Sequence, residues 1–503
     1  MNKKIFLFTL ISCAAKIIAF ARELLLAYCY GTTVSSDVFL LSMTLPVTLF
    51  RFISAGIIPS FIPAYVAAKT NEKADESLQF SNKVISILFA ICIAIILFYY
   101  IFSKPFIRII ASGFSEEAVN LSVEFTNISV WAILFICITT VLTAYLQIND
   151  KLNITALVSV PLNIGVAAAI LLAFFLENVY IMPVGFLMAS IAQMLYMLFF
   201  ANKEGFCCRF TFAVKDKQVR YFMKSLVFLS ISSSIIQINT LIDRTLATTV
   251  ISGGLSVFEY GSRINDFIMG LTIIPVSTAM FPEMARLASD TIRLKAKIVE
   301  GLRIFLILMV PLSIIVVIFS QSIVKIIYYR GAFGEQSLNL TTQVVFFYGI
   351  GLIAFALREL MAKAFYAVSD SITPVINASI GVVLNIILNF VLSRILGIGG
   401  LALATSISAF VCIALLLMSL RKKLGNLGLG SLLPAALKIV FISVLCGIIS
   451  SFVYKRVVFI ISNEIMRLGI SLLFFVLIFI WLIIKMHIVH MEEFATIFRK
   501  CEK

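Results

Sequence analysis

Apolar residues run along this chain in long stretches broken by short polar gaps. The stretches 84–102, 304–319 and 468–484 are almost free of charge, and each is long enough as a helix to cross about 30 Å of hydrocarbon. The pattern predicts helices at roughly 5–28, 38–65, 84–103, 122–147, 153–176, 180–201, 220–250, 255–285, 301–320, 340–367, 374–396, 398–420, 434–454 and 465–487. That is an all-α polytopic membrane protein of about fourteen transmembrane helices. Pro46, Pro59, Pro161, Pro275 and Pro374 fall within or at the ends of these spans, where neighbouring helices and cavity water can satisfy the backbone groups they release.

Composition agrees with a bilayer as solvent: 61% of residues are hydrophobic and 13% charged, whereas a globular domain is about half apolar and about a quarter charged. The net charge of +15 is not a nucleic-acid signal, because the basic residues sit in short gaps with no RNA-binding motif beside them. One alternate set of loops holds Lys69, Lys73 and Lys83, then Lys203, Arg209, Lys215 and Lys217, then Arg286, Arg293, Lys295 and Lys297, then 421–423. The other set is poorer and includes the neutral stretch 31–36. Positive loops face the cytoplasm, which places both termini there.

Cys13, Cys92, Cys137, Cys412 and Cys446 lie inside apolar runs and read as small buried hydrophobes. Cys207 and Cys208 are adjacent, which is no metal spacing. The histidines, His487 and His490, stand in the C-terminal tail, so no histidine-based catalytic centre is expected. The opening run 5–28 carries Lys16, Arg22 and Glu23 and is too long for a cleavable signal segment.

The chain also repeats itself. Ile109-Ile110, Gly113-Phe114 and Ser115-Glu116 resemble Ile326-Ile327, Gly331 and Phe333-Gly334-Glu335. The stretch 143–150 resembles 363–370, Pro161-Leu-Asn163 resembles Val383-Leu-Asn385, and Ile57-Ile58-Pro59 echoes Ile273-Ile274-Pro275. At an offset near 220 residues, six helices are followed by six more. Both halves start in the cytoplasm, so the repeat is parallel, as in transporters whose site lies between two rocking lobes. The expected division is an N-lobe at 1–212, a C-lobe at 213–425 and an added helix pair at 426–503.

Ionisable residues in mid-membrane cost several kcal/mol and mark function by default. Lys16, Arg22 and Glu23 share the first span; Lys16 and Glu23, seven apart, share a face. The second span opens with Ser-Ser-Asp at 35–37, an expected N-cap, and carries Arg51 fourteen residues after Asp37, nearly on the same face. Asp243 and Arg244 lie in the seventh span, Arg263 and Asp266 in the eighth, and Arg358 and Glu359 in the tenth. Snorkelling and helix-locking ion pairs account for some of these, Arg244 among them. Lys16, Arg22, Arg51 and Arg263 outnumber Glu23, Asp37 and Asp266, and read as the lining of a cavity for an anionic ligand. Guanidinium forks suit phosphate oxygens.

The order Ala21-Arg22-Glu23, Gly31, Ser36-Asp37-Val38-Phe39, Leu45-Pro46, Arg51, Gly56 and Phe61-Ile62-Pro63 resembles the opening of the MurJ (MviN) lipid II flippase family. Tyr260-Gly-Ser-Arg263, Tyr329-Arg330-Gly331-Ala-Phe333 and Lys363-Ala-Phe-Tyr366 continue the resemblance in the second half. Lys16 stands where that family usually has arginine, Glu23 where aspartate is usual, and Phe50-Arg51 in place of an Arg-Arg pair; Ala55 takes the place of a common glutamate.

The resemblance implies the multidrug/oligosaccharidyl-lipid/polysaccharide superfamily fold. It has two six-helix lobes around a central cavity, with helices thirteen and fourteen forming a groove for an undecaprenyl tail. It implies lipid II as substrate, with Lys16, Arg22, Glu23, Asp37, Arg51 and Arg263 at the binding site, to which the charge pattern of the eighth span adds Asp266. The expected mechanism is alternating access, with Arg22, Arg51 and Arg263 holding pyrophosphate and sugar while Lys16 assists. Asp37 would serve the outer gate. Asp243, Asn385, Asn389 and Thr405 resemble a sodium site of some family members, in which Asn389 would be an aspartate; Na⁺ is then the expected coupling ion. Further expected surroundings are the bacterial cytoplasmic (inner) membrane, its lipids and cell-wall synthesis proteins.

Other readings remain. A polysaccharide-unit flippase shares the fold; the extra helix pair and cationic cavity disfavour a cation-drug antiporter. A polyprenyl-lipid glycosyltransferase or phosphatase needs metal-binding carboxylates or a His/Ser/Asp constellation near one interface, which this chain lacks. A non-transporting cell-wall scaffold would tolerate loss of the cavity charges.

Overall fold

A computed structural model describes residues 3–69, 74–209, 211, 216–458 and 461–486. Lys73, Lys215, His487 and His490 lie outside the described residues. Every regular element among the described residues is helical, and packing divides the chain into two units, Lys4–Ser256 and the residues from Val257 onward.

The first unit holds α1 (Lys3–Tyr30), α2 (Val34–Ser54), α3 (Ile57–Lys69), α4 (Ala74–Ile110), α5 (Glu116–Ser129), α6 (Ala132–Ile148), α7 (Leu152–Ala156), α8 (Ser159–Phe175), α9 (Ile181–Lys203) and α10 (Lys217–Val250). The expected second span is therefore two helices. The break falls at Ala55 and Gly56, where a β-carbon on Gly56 would stand 2.9 Å from the Leu226 carbonyl oxygen of α10. Likewise α4 kinks at Phe102 (φ −115°, ψ 18°), three residues before Pro105, whose ring blocks the preceding turn. α10 packs on α2, α3 and α4 within this unit.

The second unit is reached through α11 (Gly254–Arg286), whose first three residues close the first unit. It continues with α12 (Thr291–Ile318), α13 (Ser320–Tyr328), α14 (Glu335–Ala367), α15 (Ile372–Leu396), α16 (Ile398–Leu424), α17 (Leu432–Val457) and α18 (Glu464–Lys485). Ile273, Leu302, Phe305, Leu360, Phe365 and Leu416 form one packed core between α11, α12, α14 and α16. The α17–α18 pair packs on α12 through Ile439, Cys446 and Phe475 against Ile307 and Val310. At its other end Glu464 takes an ion pair from Lys325 of α13 at 2.7 Å and a hydrogen bond from the Tyr454 hydroxyl at 3.3 Å.

Eleven helices among the described residues are long and apolar enough to cross a membrane, and α5 with α6, bent by 43°, forms a twelfth span as a pair. α10 has the length but more polar character. At 1.5 Å per residue α10 reaches roughly 50 Å, yet it carries Ser230, Ser234, Gln237, Asn239, Asp243 and Arg244. Against about fourteen expected, the described residues thus give eleven apolar spans, or twelve with the bent pair.

The duplication is written in the turns. Asp150, Glu177 and Gly205 follow α6, α8 and α9 with φ of 58°, 51° and 85°; Ser369, Gly397 and Gly425 follow α14, α15 and α16 with φ of 59°, 60° and 81°. Each partner in the second set lies 219 or 220 residues after its counterpart. The Lys151 N–H reaches back to the Leu146 carbonyl at 2.9 Å, as Asp370 does to Phe365 at 3.0 Å. Both are left-handed helix stops that satisfy otherwise orphaned carbonyls.

Candidate substrate-binding site

In the first unit α1 presents Lys16 on its exposed surface and turns Arg22 and Glu23 inward. The Arg22 guanidinium forms an ion pair with the buried Glu23 carboxylate, and its other arm rests 3.7 Å from the Met43 sulfur of α2. Adjacent positions about 100° apart on a helix can meet because both side chains are long. A buried carboxylate thus holds the cation in place before any ligand arrives.

Asp37 and Arg51, expected near one face of the second span, have different surroundings. Arg51 is exposed in the last turn of α2, where its charge complements the negative end of the helix. Asp37 is almost wholly buried, and its carboxylate accepts the Ser256 backbone N–H at 2.7 Å together with the Ser256 hydroxyl. The expected N-cap at 35–37 is corrected here. Thr33 occupies the cap position without a side-chain cap bond, the Ser36 hydroxyl donates to the Gly31 carbonyl at 2.9 Å, and all three predicted cap residues lie inside the first turn. Asp37 instead serves the start of α11, where a carboxylate satisfies an N–H with no intrahelical acceptor.

Arg244, deep in α10, donates to the Thr48 hydroxyl at 3.3 Å and so locks α10 to α2. Asp243 beside it is buried and accepts from the Asn239 amide at 3.2 Å.

In the second unit Arg263 of α11 lies between two carboxylates on its own helix. Its Nη2 is 3.2 Å from Glu259 Oε2 and its Nη1 is 3.9 Å from Asp266 Oδ2. Asp266 was expected from the sequence, whereas Glu259 was missed. Its signal was an acidic residue four positions before Arg263 in an otherwise apolar span, the spacing that brings side chains together on a helix. Arg358 and Glu359 take separate partners: the guanidinium lies over the Phe355 ring and Glu359 pairs with Lys363 at 3.6 Å.

Three of the four expected cation ligands are hydrogen-bonded to one another. The Asn389 amide donates to Asn385 Oδ1 at 2.9 Å, the Asn385 amide to Thr405 Oγ1 at 3.2 Å, and the Thr405 hydroxyl to the Leu401 carbonyl at 3.0 Å. This chain ties α15 to α16, as polar side chains do between helices in lipid. Its oxygens suit a hard monovalent cation chemically, and these hydrogen bonds use Asn385 Oδ1 and Thr405 Oγ1. Asp243 belongs to the first unit. Among the described residues no group of three or more His, Cys, Asp or Glu is placed to hold a metal ion.

Comparison with known proteins places this arrangement. The chain is 27% identical over 409 residues to a probable lipid II flippase MurJ of Rickettsia prowazekii, covering 80% of each chain. It is 25% identical over 437 residues to the Thermotoga maritima protein of the same description, covering 85% of this chain and 88% of the relative. Its fold matches a solved lipid II flippase MurJ in an inward closed conformation with a TM-score of 0.80 at 22% identity, over 95% of this chain and 97% of the other. A multidrug resistance MATE transporter of the MOP superfamily, in an inward-facing conformation, matches with a TM-score of 0.71 at 13% identity, over 84% and 99%. The sequence pattern of the family described as lipid II flippase MurJ covers residues 26–468, and the chain belongs to that family.

Proposed function

We propose that this protein carries the headgroup of lipid II, a disaccharide-pentapeptide on an undecaprenyl pyrophosphate, from the cytoplasmic to the outer face of the bacterial cytoplasmic membrane. No covalent bond is made or broken. The observation that carries the reading is that Arg22 and Arg263, both within long membrane-length helices, are each paired with a buried glutamate, Glu23 and Glu259. Such cations are costly in lipid and are kept where they bind or move something. Their planar forks match pyrophosphate oxygens in pairs.

In this mechanism Arg22, Arg51 and Arg263 hold the pyrophosphate and sugar, and Lys16 draws the headgroup in. The lobes rock, exposing the cavity first to the cytoplasm and then to the outside, while α17 and α18 accompany the lipid tail. Asp37, with its bonds to Ser256, steadies the outer end. Both termini stay in the cytoplasm. Na⁺ is the candidate coupling ion, and Asp243 of the first unit and Asn385, Asn389 and Thr405 of the second are the residues whose oxygens would suit it.

Complementation of bacteria depleted of their own lipid II flippase tests the reading, with lipid II accessible on the outer face as readout. The wild type is expected to rescue, and stably expressed Arg22→Ala and Arg263→Ala to fail. Rescue by both variants would overturn the assignment of the site. Failure of well-folded wild type would overturn the substrate and favour another lipid-linked saccharide.

A further inference from the structure

The two carboxylates around Arg263 differ in every respect that matters to an exchangeable ion pair. Glu259 is buried, with a side chain 6% exposed, and meets Nη2 at 3.2 Å. Asp266 is 65% exposed and stands 3.9 Å from Nη1, at the outer limit of an ion pair. Glu259 lies one turn before Arg263 and Asp266 one turn after it, so the two reach the guanidinium from opposite directions along the helix. The guanidinium is itself 32% exposed, so one part of the fork faces a buried acid and another an accessible one.

We infer that Glu259 and Asp266 divide two tasks on Arg263: Glu259 is a positioning residue that stays paired, and Asp266 is a displaceable counter-ion whose place a phosphate oxygen of the substrate takes. The inference rests on the proposed role of Arg263 in binding the headgroup. The physical reason is the difference in desolvation. Breaking a buried pair leaves an uncompensated charge in a poor solvent and is strongly unfavourable. Releasing an exposed carboxylate to water costs little, because water and ions screen it. An arriving phosphate therefore exchanges with Asp266 and leaves Glu259 in place. When the phosphate departs, Asp266 returns and keeps Arg263 from retaining it. The first unit holds half of this device, with the buried Glu23 against Arg22.

Purified full-length protein in detergent, titrated with inorganic pyrophosphate, tests the division of labour. Asp266→Asn is expected to bind pyrophosphate about two- to fivefold more tightly, the worth of one exposed pair removed from competition. Glu259→Gln is expected to bind more weakly by about tenfold or more, and Glu259→Asp to restore part of the loss. Arg263→Ala should abolish the gain from Asp266→Asn in the double variant. Weaker binding by Asp266→Asn, in parallel with Glu259→Gln, would overturn the inference while leaving the site intact. Unchanged binding by Arg263→Ala would overturn the site together with the inference. Asp266 is exposed, so its variant reads out even if Glu259→Gln does not fold.

Discussion

The Asp37 carboxylate accepts the backbone N–H of Ser256 at 2.7 Å and also the Ser256 hydroxyl, joining the first turn of α2 to the first turn of α11. In the internal repeat these are matching places, since α11 in the second half corresponds to α2 and α3 in the first. A buried carboxylate in the first turn of α2 thus serves the start of α11.

Asp37→Ala is expected to destabilise the protein by about 1–3 kcal/mol, because it strands a buried N–H that has no intrahelical acceptor. Ser256→Ala removes only the hydroxyl bond and keeps the N–H bond, so its cost should be smaller. Thermal unfolding of both variants in detergent checks the order; a larger loss for Ser256→Ala would contradict it.

The turn after α4 comes into backbone contact with α10. A β-carbon on Gly113 would fall inside the contact radius of the Thr248 carbonyl oxygen, which is main chain and cannot step aside. Gly113→Ala should therefore sharply lower the yield of folded protein. Gly205 has nothing within 4 Å but a φ of 85°, so Gly205→Ala should cost only the roughly 1–2 kcal/mol of a left-handed alanine. Size-exclusion profiles and thermal unfolding of the two variants measure the contrast.

In the loop between α14 and α15, the Lys423 amine at 2.7 Å and the Thr373 N–H at 3.0 Å hold the Asp370 carboxyl down to about 2. The folded value lies below the ordinary value near 3.9, so the contribution to stability is complete above about pH 4 and is lost as pH falls through about 2. Asp370→Asn should be less stable than wild type at neutral pH by about 0.2–1 kcal/mol, since Lys423 is partly exposed. The two unfolding temperatures should converge between pH 4 and pH 2. A gap that widens on acidification would refute the assignment.

If Na⁺ couples through Asp243, wild-type transport should fall when sodium is replaced by potassium, and Asp243→Asn should be slow in both media. Equal transport by wild type and Asp243→Asn, with and without sodium, would remove the ion from the mechanism. The hydrogen bonds linking Asn389, Asn385 and Thr405 would then stand as helix-to-helix ties alone.

The spans were legible in the sequence because a bilayer requires about twenty apolar residues in a row and every backbone group satisfied within the helix. The repeat was legible for a related reason. The turns at Asp150 and Ser369 need the same left-handed stop, so similar residues recur near them. Lys16, Arg22, Arg51 and Arg263 each stand out in the sequence as cations against an apolar background.

What the linear order could not convey was which partner each charge would take. Asp37 read as part of a helix cap and instead reaches Ser256; Glu259 passed unnoticed and holds Arg263; Glu359 turns to Lys363 and away from its neighbour Arg358. Even at the break in the second span, the closeness of Gly56 to the Leu226 carbonyl, 2.9 Å from where a β-carbon would stand, involves a helix far along the chain. Hydrophobic spans and local turns depend on the solvent and on nearby residues, and both are written in the sequence. The pairing of buried charges depends on distances of 3 to 4 Å between side chains, and only the packed tertiary structure sets those.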